Sequence, residues 1–233
     1  EFDITGSSEI TFESEGSIEG GTYIIDGFSQ PGSAIPGPNE IGEAGLTGAV
    51  LPIEFLGGGS VGQGLVFEFG SENSILQGVS VQDFANHALE TNTENIRFYG
   101  CEVGLDETGS ENGTVNAGMR LNAGHTTVGG WEHWQRNVIS GNGLSGAERA
   151  NLHLSVGNEN LIVGNIIGGA PDGVSTIGAA SRTRFGILMY TDNNQIGQSL
   201  INERYVLYNP INLSFQHPDL LVQVLARLSV DRV

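Results

Sequence analysis

One short pattern returns along this chain and limits what it can fold into. Ile75-Leu76-Gln77-Gly78-Val79-Ser80-Val81, Arg97-Phe98-Tyr99-Gly100-Cys101-Glu102-Val103, Val138-Ile139-Ser140-Gly141-Asn142 and Leu161-Ile162-Val163-Gly164-Asn165-Ile166-Ile167 each place an apolar residue two positions before a glycine. In three of the four, a branched apolar residue follows three positions after it. The glycines are spaced by 22, 41 and 23 residues. This reads as a unit of 22 or 23 residues, with an insertion of about one further turn in the middle interval.

A second set of segments lies between the first. Gly64-Leu65-Val66-Phe67, Gly118-Met119-Arg120-Leu121 and Gly186-Ile187-Leu188-Met189 share one shape, and His87-Ala88-Leu89 and Asn151-Leu152-His153-Leu154 are looser copies. Each unit therefore holds at least two short strands with alternating apolar residues, joined by turns rich in Gly, Asn, Asp and Ser. Short strands repeated at this spacing describe a coil that rises one strand per turn and stacks like residues on like. Asn73, Asn95, Asn158 and Asn165 flank strands, where a side chain tolerant of left-handed backbone suits sharp corners.

The expected fold is all-β, a right-handed parallel β-helix over residues 1–209, with residues 210–233 a C-terminal cap or tail. In that tail His217-Pro218-Asp219 precedes Leu220, Leu221, Val224, Leu225 and Leu228, the spacing of a short capping helix with Pro at its first position.

Composition agrees. Gly makes up 36 of 233 residues, while 38% are apolar and 7% aromatic, which suits a narrow core of repeated Ile, Val and Leu. The 27 acidic residues outnumber the 9 basic ones, all of them Arg, for a net charge of −18. Such a surface repels nucleic acid and anionic membrane. No apolar stretch is long enough to span a bilayer. The single cysteine, Cys101, alternates with Phe98 and Val103 and reads as a small core residue.

Several motifs carry a resemblance. Ile24-Ile25-Asp26-Gly27-Phe28-Ser29-Gln30-Pro31-Gly32 leads the chain. Val103-Gly104-Leu105-Asp106-Glu107-Thr108-Gly109 is followed by Gly118-Met119, Thr127-Val128-Gly129-Gly130 and Arg136-Asn137-Val138-Ile139-Ser140-Gly141-Asn142. Asn160 to Gly168 closes the series. This order resembles the right-handed parallel β-helix repeat proteins of the pectate-lyase-like superfamily, in particular their bacterial surface and secreted members. The resemblance covers residues 24 to about 209 and implies an extracellular or cell-surface location. That scaffold hosts lyases, hydrolases, adhesins and stalks, so it does not choose a function.

The catalytic patterns of the superfamily are missing. There is no Lys and no paired Arg motif, and Gly124-His125 lacks its second Gly. The remaining catalytic candidates are Asp106, Arg120 and Glu102, with Arg120 on the outward side of a strand. Asp106, Glu107 and Glu111 lie on a tight acidic turn and are the metal candidates; Ca²⁺ would suit their oxygens, and the alternative is a turn that Asp106 caps itself. The five histidines show no metal-ligand spacing. Trp131, Glu132, His133, Trp134 and Arg136 bring both tryptophans beside charged groups, a platform for a polysaccharide or other glycan or else a satellite cluster on the flank.

The leading expectation is a non-catalytic secreted or cell-surface module: a stalk, adhesin segment or glycan-contacting surface with no required cofactor. The alternative is a carbohydrate-active enzyme, a polysaccharide lyase or glycoside hydrolase. A piece of a longer chain or assembly is the third class.

Overall fold

The structure is a computed structural model, and it describes residues 9–35, 49–106, 109–173, 175, 177, 183–197 and the backbone of 214–215. Three parallel sheets run along one axis, as a right-handed parallel β-helix requires. Sheet A stacks Glu9–Thr11, Ile53–Leu56, Val79–Gln82, Glu102–Val103, Val138–Ile139 and Ile166–Ile167. Sheet B stacks Gly16–Ile18, Gln63–Phe67, His87–Thr91, Ala117–Leu121, Ala150–Leu154, Phe185–Met189 and Ser214–Phe215. Sheet C stacks Ile24–Asp26, Ile75–Gln77, Arg97–Tyr99, Thr127–Val128, Leu161–Ile162 and Gln195–Ile196. The chain visits A, B and C in turn, so every neighbour in a sheet is one full turn away in sequence. The 209/210 boundary and the tail expected to be helical lie outside the described residues.

Registration fixes the core. Leu76, Phe98, Val128, Ile162 and Ile196 form one column of sheet C. Leu65, Leu89, Met119, Leu152 and Ile187 form one column of sheet B. Both sets belong to one apolar cluster at the centre of the coil. Cys101 is fully buried in it, and burial pushes its thiol up to about 12, so it is an inert core residue. The five segments read as copies of one shape are all strands of sheet B in register.

The 22- or 23-residue unit needs correction. The sheet C column advances by 22, 30, 34 and 34 residues. Gly78, Gly100 and Gly164 follow strands of sheet C, but Gly141 follows a strand of sheet A. The pattern apolar-x-Gly marks two different corners, because both need a residue free of Cβ strain. Three strands make each turn, within the expectation of at least two. The extra residues fall mostly in the connections from sheet A to sheet B, at 104–116, 140–149 and 168–184.

Corners show the same physics. Gly78 alone joins sheet C to sheet A at φ +67, and Gly100 takes φ +60 at the next turn, where a Cβ would lie 2.5 Å from Trp134 O. At the corner before sheet C, Asn73, Asn95, His125, Glu159 and Asn193 all have positive φ. Each sits three residues before its core column residue. Asn73 and Asn95 therefore do what the sequence implies. Asn158 and Asn165 serve their corners by bonding neighbours instead: Glu159 takes the left-handed position while Asn158 Oδ1 accepts from Asp192 N at 3.1 Å, and Asn165 joins a buried amide ladder, where its Nδ2 donates to Val128 O at 2.8 Å and its Oδ1 accepts from Asn137 Nδ2 at 2.9 Å.

Candidate functional site

The residues singled out from sequence occupy three separate places. The Trp131–Arg136 segment is at the corner from sheet C to sheet A, the one corner that sheet B does not border. Trp134 edges onto Tyr99 and Phe28, with ring centroids 5.8 and 6.4 Å away, as a satellite cluster on the flank. Glu132 is exposed, its N–H donating to Gln135 Oε1 at 3.1 Å, and His133, Trp131 and Arg136 are half-buried beside it.

Asp106 and Glu102 lie on the sheet A side. Asp106 Oδ1 accepts from Ser110 N at 2.9 Å, and Asp106 O accepts from Gly109 N at 2.8 Å, so the carboxylate caps its own turn. Glu111 closes that turn in a bridge to Leu105, and its Oε1 is buried without a hydrogen-bond partner. Glu107 lies outside the described residues. Among the described residues, no three His, Cys, Asp or Glu side chains gather as a metal would need.

Glu102 points outward from sheet A, in register with Ser80 and Val138. Burial, then the neighbouring charges of Asp106 and Glu54, push its carboxyl up to about 7. A carboxyl raised in the folded state contributes stability below its unfolded value, and that contribution is lost as pH rises through 7. Glu102→Gln is therefore expected to stabilise the fold by about 2 kcal/mol at pH above about 8 and to change nothing below about pH 4. Urea midpoints at the two pH values check this, and equal effects at both would contradict it.

Arg120 is on sheet B, as its strand parity implied, and sheet B gathers the richest set of polar groups. Val66, Glu90, Arg120, His153 and Leu188 form its outward column. The connection 140–149 folds back across this face. Leu144 N donates to Thr114 O at 3.0 Å and Gly146 N to Val115 O at 2.8 Å. That path delivers Glu148 onto the face. Its Oε2 lies 3.0 Å from His153 Nδ1 and 3.6 Å from His87 Nε2, and its Oε1 lies 3.9 Å from Arg120 Nη2. The two imidazole side chains are only 1% and 2% exposed.

Burial pulls both histidines below their ordinary value, with the nearby carboxylates pulling the other way and Arg120 adding to the fall. Ala117 N lies 3.3 Å from His87 Nδ1. Ala117 O lies 3.2 Å from the same nitrogen, so the backbone of Ala117 offers a partner to either tautomer of the neutral ring. His153 Nε2 and Arg120 Nε have no hydrogen-bond partner, and the 3.0 Å contact of His153 Nδ1 with Glu148 Oε2 is poorly aligned for one. The cluster is close in space but poorly satisfied, which is unusual for buried polar groups.

Beside it the face opens. Glu68, Asn92, Asn122, Ser155 and Tyr190 each follow the last core residue of a sheet B strand and make a second outward row. Asn92 Nδ2 donates to Glu68 Oε1 at 2.9 Å and Asn122 Nδ2 to Asn92 Oδ1 at 2.9 Å. Asn122 Nδ2 also reaches Glu90 Oε1 at 2.6 Å, and Arg120 Nη2 donates to Ser155 Oγ at 3.3 Å. Tyr190 is 51% exposed and stands edge-on to His153 with ring centroids 5.1 Å apart. Phe69 and Val156, 86% and 59% exposed, border the same row.

Sequence reasoning missed Glu148, His87, Glu90, Tyr190 and the two asparagines. Aligning Gly64, Ala88, Gly118, Asn151 and Gly186 puts Glu90, Arg120 and His153 in one outward column, so part of the signal was available. Alternation with Leu152 and Leu154 implies that His153 points outward. It does, but the 140–149 connection covers it. Comparison with known proteins finds no matching family model, no matching curated protein and no matching solved structure.

Proposed function

We propose that this chain is a non-catalytic secreted or cell-surface β-solenoid that contacts glycan through the outward face of sheet B. The row Glu68, Asn92, Asn122, Ser155 and Tyr190 carries the reading: amide, carboxylate, hydroxyl and phenol groups, one per turn, over about 19 Å at the spacing of parallel strands. Amides and carboxylates on a flat sheet match the hydroxyls of a sugar polymer. Tyr190 and Phe69 offer faces for its apolar C–H surface. A net charge of −18 disfavours polyanions, so the ligand class is a neutral, hydroxyl-rich glycan. The motif order quoted above supports kinship with the pectate-lyase-like superfamily and hence the extracellular location.

One observation favours a second reading, a carbohydrate-active enzyme of that superfamily. Glu148, His153, His87 and Arg120 are the chemistry of general acid–base catalysis, set beside the row. A panel of neutral and acidic glycans separates the two. The expected result is retention of neutral glycan with no release of reducing or unsaturated ends. Product release that vanishes in Glu148→Gln replaces the first reading with the second. Neither retention nor product contradicts both.

A further inference from the structure

The Glu148 cluster has a feature that glycan contact does not require. Two imidazoles, from strands two turns apart, converge on a single carboxylate oxygen, and that carboxylate comes from the connection that covers them. We infer that Glu148 and the two histidines form a proton-operated clamp that holds the 143–149 segment over sheet B at neutral pH and releases it in mild acid.

Burial decides the direction, because the charges that face the clamp nearly cancel. Around His87 stand Glu90, Glu148 and Arg120; around His153 stand Glu148 and Arg120, with the Tyr190 ring against it. With both rings neutral, Glu148 and Glu90 face Arg120 alone, a net of one negative charge. With both rings protonated, three cations face Glu148 and Glu90, a net of one positive charge. Both rings are almost wholly shut off from water, so neither positive charge can be hydrated in place. Opening supplies the water.

The sign follows. The histidines lie below their ordinary value when the clamp is closed and return to about 6.5 when it is open. Closure is therefore fully favoured above about pH 6.5 and weakens as pH falls below it. The segment is also held under backbone strain: Arg149, next to Glu148, has φ +23. Opening uncovers both imidazoles, and so widens the sheet B face next to the Asn92–Asn122 row. The link to glycan rests on the function proposed above, whereas the proton switch does not.

Amide hydrogen exchange, corrected for the intrinsic pH dependence, tests the clamp without any glycan. From about pH 7.5 to about pH 5, protection of the 143–149 amides is expected to fall at least ~10-fold, while the sheet C column stays protected. In His87→Asn/His153→Gln the fall is expected to shrink below about twofold. Glu148→Gln keeps the side-chain shape but removes the carboxylate that opposes the fall of both imidazoles, so their closed and open values move farther apart and the loss of protection over the same pH range grows. If the double variant folds poorly, this second variant still decides. Protection in the wild-type chain that does not depend on pH, an equal fall in the double variant, or a fall in Glu148→Gln no larger than in wild type would each overturn the clamp.

Discussion

Phe98→Ala is expected to cost about 4 kcal/mol of folding stability, the largest loss for any single truncation in the central column. Phe98 is fully buried, stacked between Leu76 of the turn before and Val128 of the turn after, and its ring meets Phe67 edge-to-face with centroids 5.6 Å apart. In a globular core, neighbours could move in to fill the gap. Here the residues above and below are held one strand spacing away by backbone ladders on three sides, so the cavity persists. Each turn of a solenoid touches only its neighbours, so the weakness also divides the stack into two shorter pieces. Urea unfolding followed by circular dichroism reads the loss as a lower midpoint. A loss under about 1 kcal/mol would mean that Phe98 is not in the core.

Asn137→Ala is expected to cost about 3 kcal/mol, although it removes no apolar surface. The Asn137 side chain bridges three successive turns at the corner leading into sheet A. Its Oδ1 accepts from Cys101 N at 2.8 Å, and its Nδ2 donates to Phe98 O at 2.9 Å and to Asn165 Oδ1 at 2.9 Å. The residue is fully buried, so water cannot replace these partners. Alanine leaves Cys101 N unpaired in the interior, at about 1–3 kcal/mol, and takes one of two donors from Phe98 O, which keeps Gly129 N, and from Asn165 Oδ1, which keeps Asn137 N. Asn137→Asp keeps the acceptor for Cys101 N but loses both donors and sets a charge against Asn165 Oδ1, so it is expected to be no milder. An aspartate variant as stable as wild type would show that the ladder does not carry the corner.

These two positions show why the fold could be read from sequence more readily than the site. Phe98 sits in a pattern, apolar residue then glycine two positions later, which a parallel stack must repeat because each turn lies on the last. The same logic exposed the sheet B copies and the outward position of Arg120. It failed at Gly141, because two corners of the coil demand the same backbone freedom and so share one local spelling. It also failed at Glu159, because the left-handed corner position tolerates a glutamate where asparagine was expected.

The site is a different problem. Strand parity places Glu90, Arg120 and His153 on one column. Glu148 reaches them only because the 140–149 connection folds back, pinned by backbone bonds to Thr114 and Val115. No periodicity encodes that return. Conversely, Trp131 and Trp134 stood out by composition, yet Trp134 packs on Phe28 and Tyr99, at the corner farthest in topology from sheet B.

The most direct test of the account asks which surface holds the sugar. Binding of a retained neutral glycan should be measured by calorimetry for the wild-type chain, for Asn122→Ala/Tyr190→Ala and for Trp131→Ala/Trp134→Ala. The account predicts that the sheet B variant loses at least ~10-fold in affinity while the tryptophan variant binds like wild type. Unchanged binding in the sheet B variant, with the loss appearing in the tryptophan variant, would contradict it.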